Sequence, residues 1–233
     1  MSNSKDPVIY WLREDFRIHD NLALTEAAKD NKNLILVYFS NYLDKQLGSA
    51  QEVWINNSFL EITKKYDEIY GLNIQCYDGD PIQYLEELHK KFGVSEIYMN
   101  EVFDPRTKKK DDKIKKYFTD QIIFKTYNSH LLFSPEEIKN NAGSYFKVYT
   151  PFWRNCLSKL IIRKPLRPPK EINVFQDKRL KGTHDLSLNH SLWANRLFKY
   201  FTPGENAARL KLKELGNLIK GYSSNRDFPN KDS

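Results

Sequence analysis

Several features that mark common protein classes are scarce or missing in this sequence. There are two cysteines, Cys76 and Cys156, and no CxxC motif, which excludes a disulfide framework and a cysteine-based metal site. No apolar run approaches the roughly 20 residues that a membrane helix needs. The polar start MSNSKDP lacks the apolar core of a signal peptide. We therefore expect a soluble, cytoplasmic protein with no metal and no membrane partner.

The motifs of the common nucleotide sites are also missing. The sequence contains neither GxGxxG nor GxxxxGK[ST], so it lacks both the dinucleotide-binding fingerprint and the phosphate-binding P-loop. No serine or cysteine stands in a pattern typical of a nucleophile, and His19 has no identifiable base or nucleophile beside it. The residues themselves therefore predict no catalytic group and leave open whether the chain is an enzyme.

What the first half does contain is a regular alternation of apolar strands and helices. The predicted strands are 8–12, 34–39, 73–77, 96–99 and 121–127, and the predicted helices are 22–28, 51–70, 82–92 and 106–118. The strands are rich in β-branched and aromatic residues and nearly continuous in apolar character, which suits burial on both faces. This pattern predicts an α/β fold, a doubly wound five-stranded parallel sheet with helices on both sides.

The loop after the first strand is dense in charges of both signs. We predict that Arg13, Asp15, Arg17 and Asp20 pair with one another and with a neighbouring element. Together with Asn21 they are assigned a structural role in a loop or interdomain contact. Asp20 is predicted to cap the helix that begins at Asn21.

The net charge of +7 permits a nucleic-acid partner without demanding one. The densest basic run is KKKDDKIKK at residues 108–116, and two acids interrupt it. Such a run favours the solvated face of a helix over a track for phosphates.

The chain divides into three predicted regions: an α/β domain at 1–128, a connector with short helices at 129–200, and the start of a helical domain at 201–233. A helix is predicted to begin with a capping box at Thr202-Pro203-Gly204-Glu205 and to end at Gly221. Ala208, Leu212, Leu215 and Ile219 lie on one face of it. Few residues follow, so we expect this face to be exposed.

Five motifs in order resemble the photolyase/cryptochrome family. Residues 10–24, YWLREDFRIHDNLAL, are similar to its opening signature W-F-R-x-D-L-R-x-x-D-N-x-A-L. YDGDP at 77–81, the segment 100–111 and YFKVYTPF at 145–152 resemble its G-D-P turn, its N-x-x-x-x-P-x-x-x-x-x-D segment and its Y-x-V-F-T-P-F motif. PGE at 203–205 and YSSNRDFP at 222–229 resemble its PGE helix and Y-x-x-x-R-D-x-P stretch. The resemblance covers essentially the whole chain.

The resemblance implies a function that depends on FAD. Photolyases of this family bind FAD in a C-terminal all-helical domain, and the light-excited reduced flavin splits pyrimidine dimers in DNA. Tyr222 matches a tyrosine beside the phosphate side of the flavin, and Arg226 matches a position that reaches the DNA backbone. The T-S-x-L-S-P-Y-L segment that cradles the flavin phosphates does not occur in these residues. We therefore expect a truncated or split photolyase that is inactive alone, with a separate C-terminal fragment as a possible partner.

The resemblance also bears on an antenna chromophore. In folate-binding members an asparagine–glutamate pair contacts the pterin, and the aligned residues here are Arg106 and Thr107. The missing carboxylate argues against folate and leaves a deazaflavin, a flavin or no antenna. Two alternatives to a photolyase remain open, a cryptochrome-like light-sensing or interaction module and a non-functional remnant.

Overall fold

The computed structural model describes residues 6–29, 32–40, 42, 48–182 and 192–230, with side chains for all of these except Leu192. The chain forms two compact units. The first comprises Met1–Leu43 with Ile74–Thr183, and the second comprises Asp44–Asn73 with His184–Ser233. The predicted boundaries at residues 128 and 200 stay a prediction.

Strands and helices alternate along the first half, as the apolar pattern predicts. In chain order the elements are β1 (Val8–Leu12), α1 (Leu22–Ala27), β2 (Asn33–Ser40), α2 (Ser49–Tyr70), β3 (Gln75–Asp78), α3 (Pro81–Phe92), β4 (Glu96–Asn100), α4 (Pro105–Tyr117), β5 (Ile123–Tyr127), a 3-10 turn (Pro135–Glu137), α5 (Tyr149–Lys159), β6 (Asn173–Val174), α6 (Leu192–Leu197) and α7 (Glu205–Asn225). None of the helices described here is long and apolar enough to cross a membrane.

The sheet of the first unit is parallel and runs in the order β3-β2-β1-β4-β5. In the pairing of the central strand, Ile9 lies beside Ile35 of β2 and Ile97 of β4. The two-residue strand β6 adds a parallel pairing to the start of β2. The predicted five-stranded parallel sheet is therefore confirmed. Strand β6 was not predicted, because two residues are too few to form a recognisable apolar pattern.

The sheet is buried on both faces because its strands are apolar at consecutive positions. Every residue of β1 is buried. One face carries Ile9 and Trp11 and packs against α3 and α4 through side chains that include Leu85 and Phe118. The residues of α1 contact β1, β4 and β5. Helices therefore cover the sheet as expected for a doubly wound fold.

Helices α3 and α4 each begin with an aspartate cap, whereas the predicted caps of α1 and α7 are wrong. Asp80 and Asp104 cap α3 and α4 with their carboxylates, each followed by proline. Helix α1 is capped by Asn21, which accepts from the Leu24 amide, and not by Asp20. The reason is that Asp20 has a positive φ of 52° and its carboxylate binds residues 163–166 instead.

The start of α7 is the second correction. Gly204 caps this helix with a φ of 97°, so Thr202 does not form the predicted capping box. Glu205, the predicted box acid, instead pairs with Lys65 of α2 inside the second unit. The helix also continues through Gly221 to Asn225, since a lone glycine lowers helix stability by only about 1 kcal/mol.

Part of the predicted connector is docked on the sheet of the first unit. Ile172 is buried, and β6 pairs with β2. Phe175 packs edge-on against Phe92 with ring centroids 5.3 Å apart. The amide of Gly182 donates to Gln75 Oε1 at 2.8 Å. Residues 172–182 are therefore mostly irregular, as their composition indicates, but they contact the folded unit.

A charged cluster joins three segments of the sheet. Glu96 accepts from Lys32 at 2.6 Å and from Lys125 and the Tyr98 hydroxyl at 2.9 Å each. Burial alone acts to raise the pKa of Glu96, but these three hydrogen bonds outweigh it and bring the pKa to about 2. The carboxylate is therefore stabilised in the folded state.

This cluster makes stability depend on acid pH. The folded pKa of Glu96 lies below its ordinary value of 4.5, so the contribution is present above about pH 4.5 and is lost as the pH falls toward 2. We expect Glu96 to contribute about 2 kcal/mol at neutral pH after allowance for its partial exposure. Urea unfolding of Glu96→Gln between pH 7 and 2 should show a correspondingly shallower loss of stability than the parent. Glu68→Gln, which removes an exposed partner of Lys64, serves as the control and should follow the parent curve.

Candidate functional site

The carboxyl ends of β1 and β4 form the point in the sheet where strand order reverses. The chain leaves β1 toward β2 on one side, and β4 continues toward β5 on the other. Ligands of open α/β sheets bind in the crevice at such a point. Arg13 and Asp15 follow β1 here, and Asn100 ends β4.

A buried ion pair occupies one part of this crevice. The Arg13 guanidinium donates to both oxygens of Asp111 at 3.2 Å, and the two residues are only 4% and 5% exposed. The guanidinium carbon lies 4.6 Å from the Trp11 ring centre and 4.9 Å from that of Tyr42. The Tyr42 hydroxyl donates to Asp111, and burial together with this carboxylate raises the pKa of Tyr42. The pair is thus desolvated and enclosed by aromatic rings.

A second buried network surrounds the Asp15 carboxylate. It accepts from the Arg13 amide at 3.1 Å, from Asn21 at 3.3 Å and from Asn100. Asn21 also donates to the Tyr10 hydroxyl at 2.7 Å. Asn100 Oδ1 in turn accepts from the Ala23 amide and the Ser129 hydroxyl. This network joins β1, α1, β4 and the segment after β5 at the carboxyl edge of the sheet.

The remaining two residues of the predicted charged set lie next to this network. Arg17 donates to the carbonyls of Ser129 at 2.6 Å and Asp20 at 3.2 Å. The Asp20 carboxylate accepts from Arg163 and from the Leu166 amide. Burial alone acts to raise the pKa of Asp20, but these two hydrogen bonds lower it. These contacts lie within the first unit, and a role between domains stays a prediction.

Sequence reasoning missed the two most important partners, Asp111 and Asn100. Both lie in the segment 100–111 that resembles a family motif, but neither was linked to the loop after β1. For Asp111 the sequence does contain a signal, because Thr107, Asp111 and Ile114 are spaced so that they share one face of α4, and they are its buried positions. The surrounding lysines obscured this spacing.

The first turn of α4 is structural in this chain. Thr107 is buried, and both its amide and its hydroxyl donate to Asp104 at 2.9 Å. Arg106 is exposed, and Lys110 donates to the Tyr42 carbonyl at 2.8 Å. No carboxylate stands at 106 or 107 to accept from a pterin.

The two residues predicted to bind cofactor and DNA lie at the end of α7 in the second unit. Tyr222 is 52% exposed, and no hydrogen bond occupies its hydroxyl within the part of the chain that the structure describes. Arg226 is the C-cap of α7, and its side chain lies 3.8 Å from the Asp227 carboxylate, with both groups largely exposed. Both side chains can reach a ligand, and neither forms an enclosed site.

A shallow depression on the first unit is lined by residues of α5 and the loop before it: Asn140, Asn141, Ala142, Phe146, Pro151, Arg154, Asn155 and Ser158. The Asn155 side-chain oxygen is buried there, and none of the described residues forms a hydrogen bond with it. Among the described residues, no group of histidine, cysteine, aspartate and glutamate could hold a metal ion.

Comparison with known proteins identifies the family. The model of the DNA photolyase family matches residues 8–171, well over half of the chain. A deoxyribodipyrimidine photo-lyase of Agrobacterium fabrum is 30% identical over 236 residues, which are 99% of this chain and 49% of that protein. The chain belongs to the DNA photolyase family. Cryptochrome-1 of Arabidopsis thaliana is 26% identical over 235 residues, 94% of this chain and 33% of the cryptochrome.

Solved photolyase structures agree with this assignment. A bacterial class III photolyase from Agrobacterium tumefaciens has a TM-score of 0.88 at 30% identity, covering 99% of this chain and 49% of its own. An archaeal photolyase from Sulfolobus tokodaii, solved with two FAD molecules, has a TM-score of 0.59 at 25% identity and covers 72% and 38%. The chain spans about half the length of the photolyases that it matches.

Proposed function

We propose that this chain supplies the N-terminal part of a deoxyribodipyrimidine photolyase, which acts on pyrimidine dimers in DNA. The observation that carries the proposal is the match to the Agrobacterium photolyase, because it continues through 99% of the chain and so includes α7 beyond the sheet. The networks at the sheet edge contain no group arranged for proton transfer or nucleophilic attack. The role proposed for the first unit is therefore to support other groups, and we also propose a cytoplasmic location.

The described residues fit FAD only in part. Tyr222 offers an exposed hydroxyl that can donate to an anionic phosphate, and Arg226 offers a guanidinium suited to a DNA phosphate. When bound, FAD supplies the light-driven electron for splitting the dimer. A single hydroxyl cannot hold the cofactor, so we propose that most contacts to it come from residues outside this sequence.

Each unit has an exposed apolar helix face, and these faces support the proposal that further helices pack on this chain. On α5 in the first unit, Tyr149 and Trp153 stack nearly parallel and are 70% and 45% exposed. On α7 in the second unit, Leu212, Leu215 and Ile219 are exposed. Apolar patches of this kind usually mark surfaces for another part of a protein. We propose that the photolyase half absent from this sequence covers them, whether it continues the chain or is a separate one.

For the antenna we propose a flavin, a deazaflavin or none in preference to folate. Thr107 stands at this position and its hydroxyl donates to Asp104, so the position offers no carboxylate to accept from a pterin. The Sulfolobus photolyase was solved with two FAD molecules, which implicates a novel light-harvesting cofactor in that protein, and a second flavin is therefore a specific candidate.

The proposal predicts repair only after completion. The 233-residue chain, mixed with reduced FAD and dimer-containing DNA under blue light, should leave the number of dimers unchanged. A fusion of this chain to the C-terminal half of the Agrobacterium photolyase should bind FAD and repair dimers. Replacing Arg226 by alanine in the fusion should weaken DNA binding by about tenfold, since a charge-assisted contact to phosphate is lost. Repair by the isolated chain would contradict the proposal, and so would a folded, FAD-loaded fusion without repair.

The second candidate is a cryptochrome-like module, favoured by the match to Arabidopsis cryptochrome-1 over 94% of the chain. The same fusion separates the two, because a cryptochrome-like half would allow flavin binding and a light response of the flavin spectrum without loss of dimers. A non-functional remnant would give a fusion that fails to fold or to bind FAD.

A further inference from the structure

The basic run on α4 exposes more net positive charge at the surface than its sequence indicates. Two acids interrupt it, Asp111 and Asp112. Asp111 is buried and paired with Arg13, so it does not neutralise the outer face. Asp112 is the one acid of α4 that remains exposed.

The exposed cations of this helix are Arg106, Lys108, Lys109, Lys113 and Lys116. None of their side chains makes a hydrogen bond or an ion pair within the described part of the chain. Lys108 exerts only a longer-range attraction on Glu136. By contrast, Lys64 and Lys90 each pair with a glutamate on their own helix, and Lys29 pairs with Glu26 of α1. The positive charge on the outer face of α4 is therefore concentrated, with Asp112 as the one exposed acid on that helix.

This arrangement opposes helix formation. Arg106, Lys109, Lys113 and Lys116 follow one another at spacings of three, four and three residues, so they form one stripe along the helix. Like charges at these spacings destabilise a helix. An external anion that binds along the stripe would remove this repulsion.

We propose that the exposed face of α4 binds the phosphate backbone of duplex DNA. From Arg106 to Lys116 the helix rises about 15 Å, close to the rise of four base pairs along one strand of about 3.4 Å each. A helix with its side chains is about 10–12 Å across, which matches the roughly 12 Å width of the major groove. With the helix in the groove, the stripe can face the phosphates of one DNA strand that borders the groove. Lys108, which lies to one side of the stripe on the helix, can face the phosphates of the other strand.

The same geometry argues against other anionic partners. A membrane surface would need apolar side chains beside the lysines, but Ile114 and Phe118 of this segment point into the protein core. Double-stranded RNA has a major groove too deep and narrow to read with side chains. Binding through α4 requires neither flavin nor a lesion, so it is independent of the repair proposal.

Binding is measured with the full chain in the dark by fluorescence anisotropy of an undamaged, labelled duplex of about 20 base pairs, from about 50 to 200 mM NaCl. The test variant is Lys109→Gln with Lys113→Gln and Lys116→Gln. The matched control is Lys29→Gln with Lys64→Gln and Lys90→Gln, which lowers the net charge by the same amount. A third variant, Asp112→Asn, removes the single exposed acid.

For the parent we expect log K to fall with log salt with a slope of about −3 to −4, as for roughly four phosphate contacts. The test variant should bind at least about tenfold more weakly at low salt with a slope shallower by about 2 to 3, whereas the control should stay within about threefold. Asp112→Asn should bind more tightly than the parent.

Thermal unfolding of the test variant should occur at or above the parent temperature, because repulsion has been removed. Equal losses in test variant and control, no measurable binding by the parent, or equally effective competition by poly-glutamate would each overturn the proposal.

Discussion

Replacement of Arg13 by alanine should lower the free energy of unfolding by about 3–5 kcal/mol, because Asp111 would remain buried without its partner. Asp111 is 5% exposed, and the arginine supplies its only charged hydrogen bonds among the described residues. Removing one member of a buried ion pair leaves the full desolvation cost of the other. The same range is expected for Asp111→Ala, which strands the guanidinium between Trp11 and Tyr42.

A double-mutant cycle separates this pair from ordinary packing. Arg13→Met combined with Asp111→Leu removes both charges while retaining volume, so it should recover a large part of the loss seen in either alanine variant. Recovery should be incomplete, since the Tyr42 hydroxyl would lose its acceptor. Urea unfolding monitored by tryptophan fluorescence measures the four corners of the cycle, which are the parent, Arg13→Met, Asp111→Leu and the double variant.

The control for this cycle is Arg179→Ala. Arg179 also donates to both oxygens of an aspartate, Asp177, but its side chain is 61% exposed, and exposed pairs contribute little to stability. Its loss should leave unfolding nearly unchanged. If Arg13→Ala were no more destabilising than Arg179→Ala, the buried pair would not hold the sheet edge together.

The strands and their parallel arrangement could be predicted because each strand is an apolar run. Buried runs such as β1 leave little choice of element. The order of the strands in the sheet could not be predicted, because alternation of strands and helices is compatible with several parallel orders. Nothing local to β4 indicates that it pairs with β1 and not with β3.

The loop after β1 shows what local sequence reasoning cannot find. Its charges predict pairing, and Arg13 was expected to find partners within the loop or on a neighbouring element. Its acid lies 98 positions away, inside a run that looks solvent-exposed because lysines surround it. A prediction of that pair requires the rotation of α4 about its axis, which packing of Ile114 and Phe118 into the core determines.

The connector illustrates the same limit in an extended segment. Proline and scattered polar residues between 163 and 182 indicate an irregular chain, and the backbone is mostly irregular. Its docking depends on a two-residue strand and on glycine at one position of close approach. Neither feature has a periodicity that could be recognised in the sequence.

Replacement of Gly182 by alanine tests how firmly this segment rests on the sheet. A Cβ at this position would lie 2.6 Å from the Cys76 carbonyl oxygen and 2.8 Å from the Cys76 nitrogen. Cys76 belongs to β3, which pairs with β2, so the backbone that the new methyl group meets cannot easily move. We expect residues around 180–182 to lift away and the free energy of unfolding to fall by about 2–3 kcal/mol.

The matched control is Gly216→Ala in α7. Apart from the neighbouring backbone of α7 itself, no heavy atom of the described residues lies within 4 Å of the position that a Cβ would take there. Alanine within a helix is more favourable than glycine by about 1 kcal/mol or somewhat less. The two glycine variants should therefore shift urea unfolding in opposite directions. Limited proteolysis should in addition cleave the Gly182→Ala protein faster within residues 172–182, because loss of the Gly182–Gln75 hydrogen bond frees that backbone. A Gly182→Ala protein as stable and as resistant as the parent would mean that the connector passes β3 without packing on it.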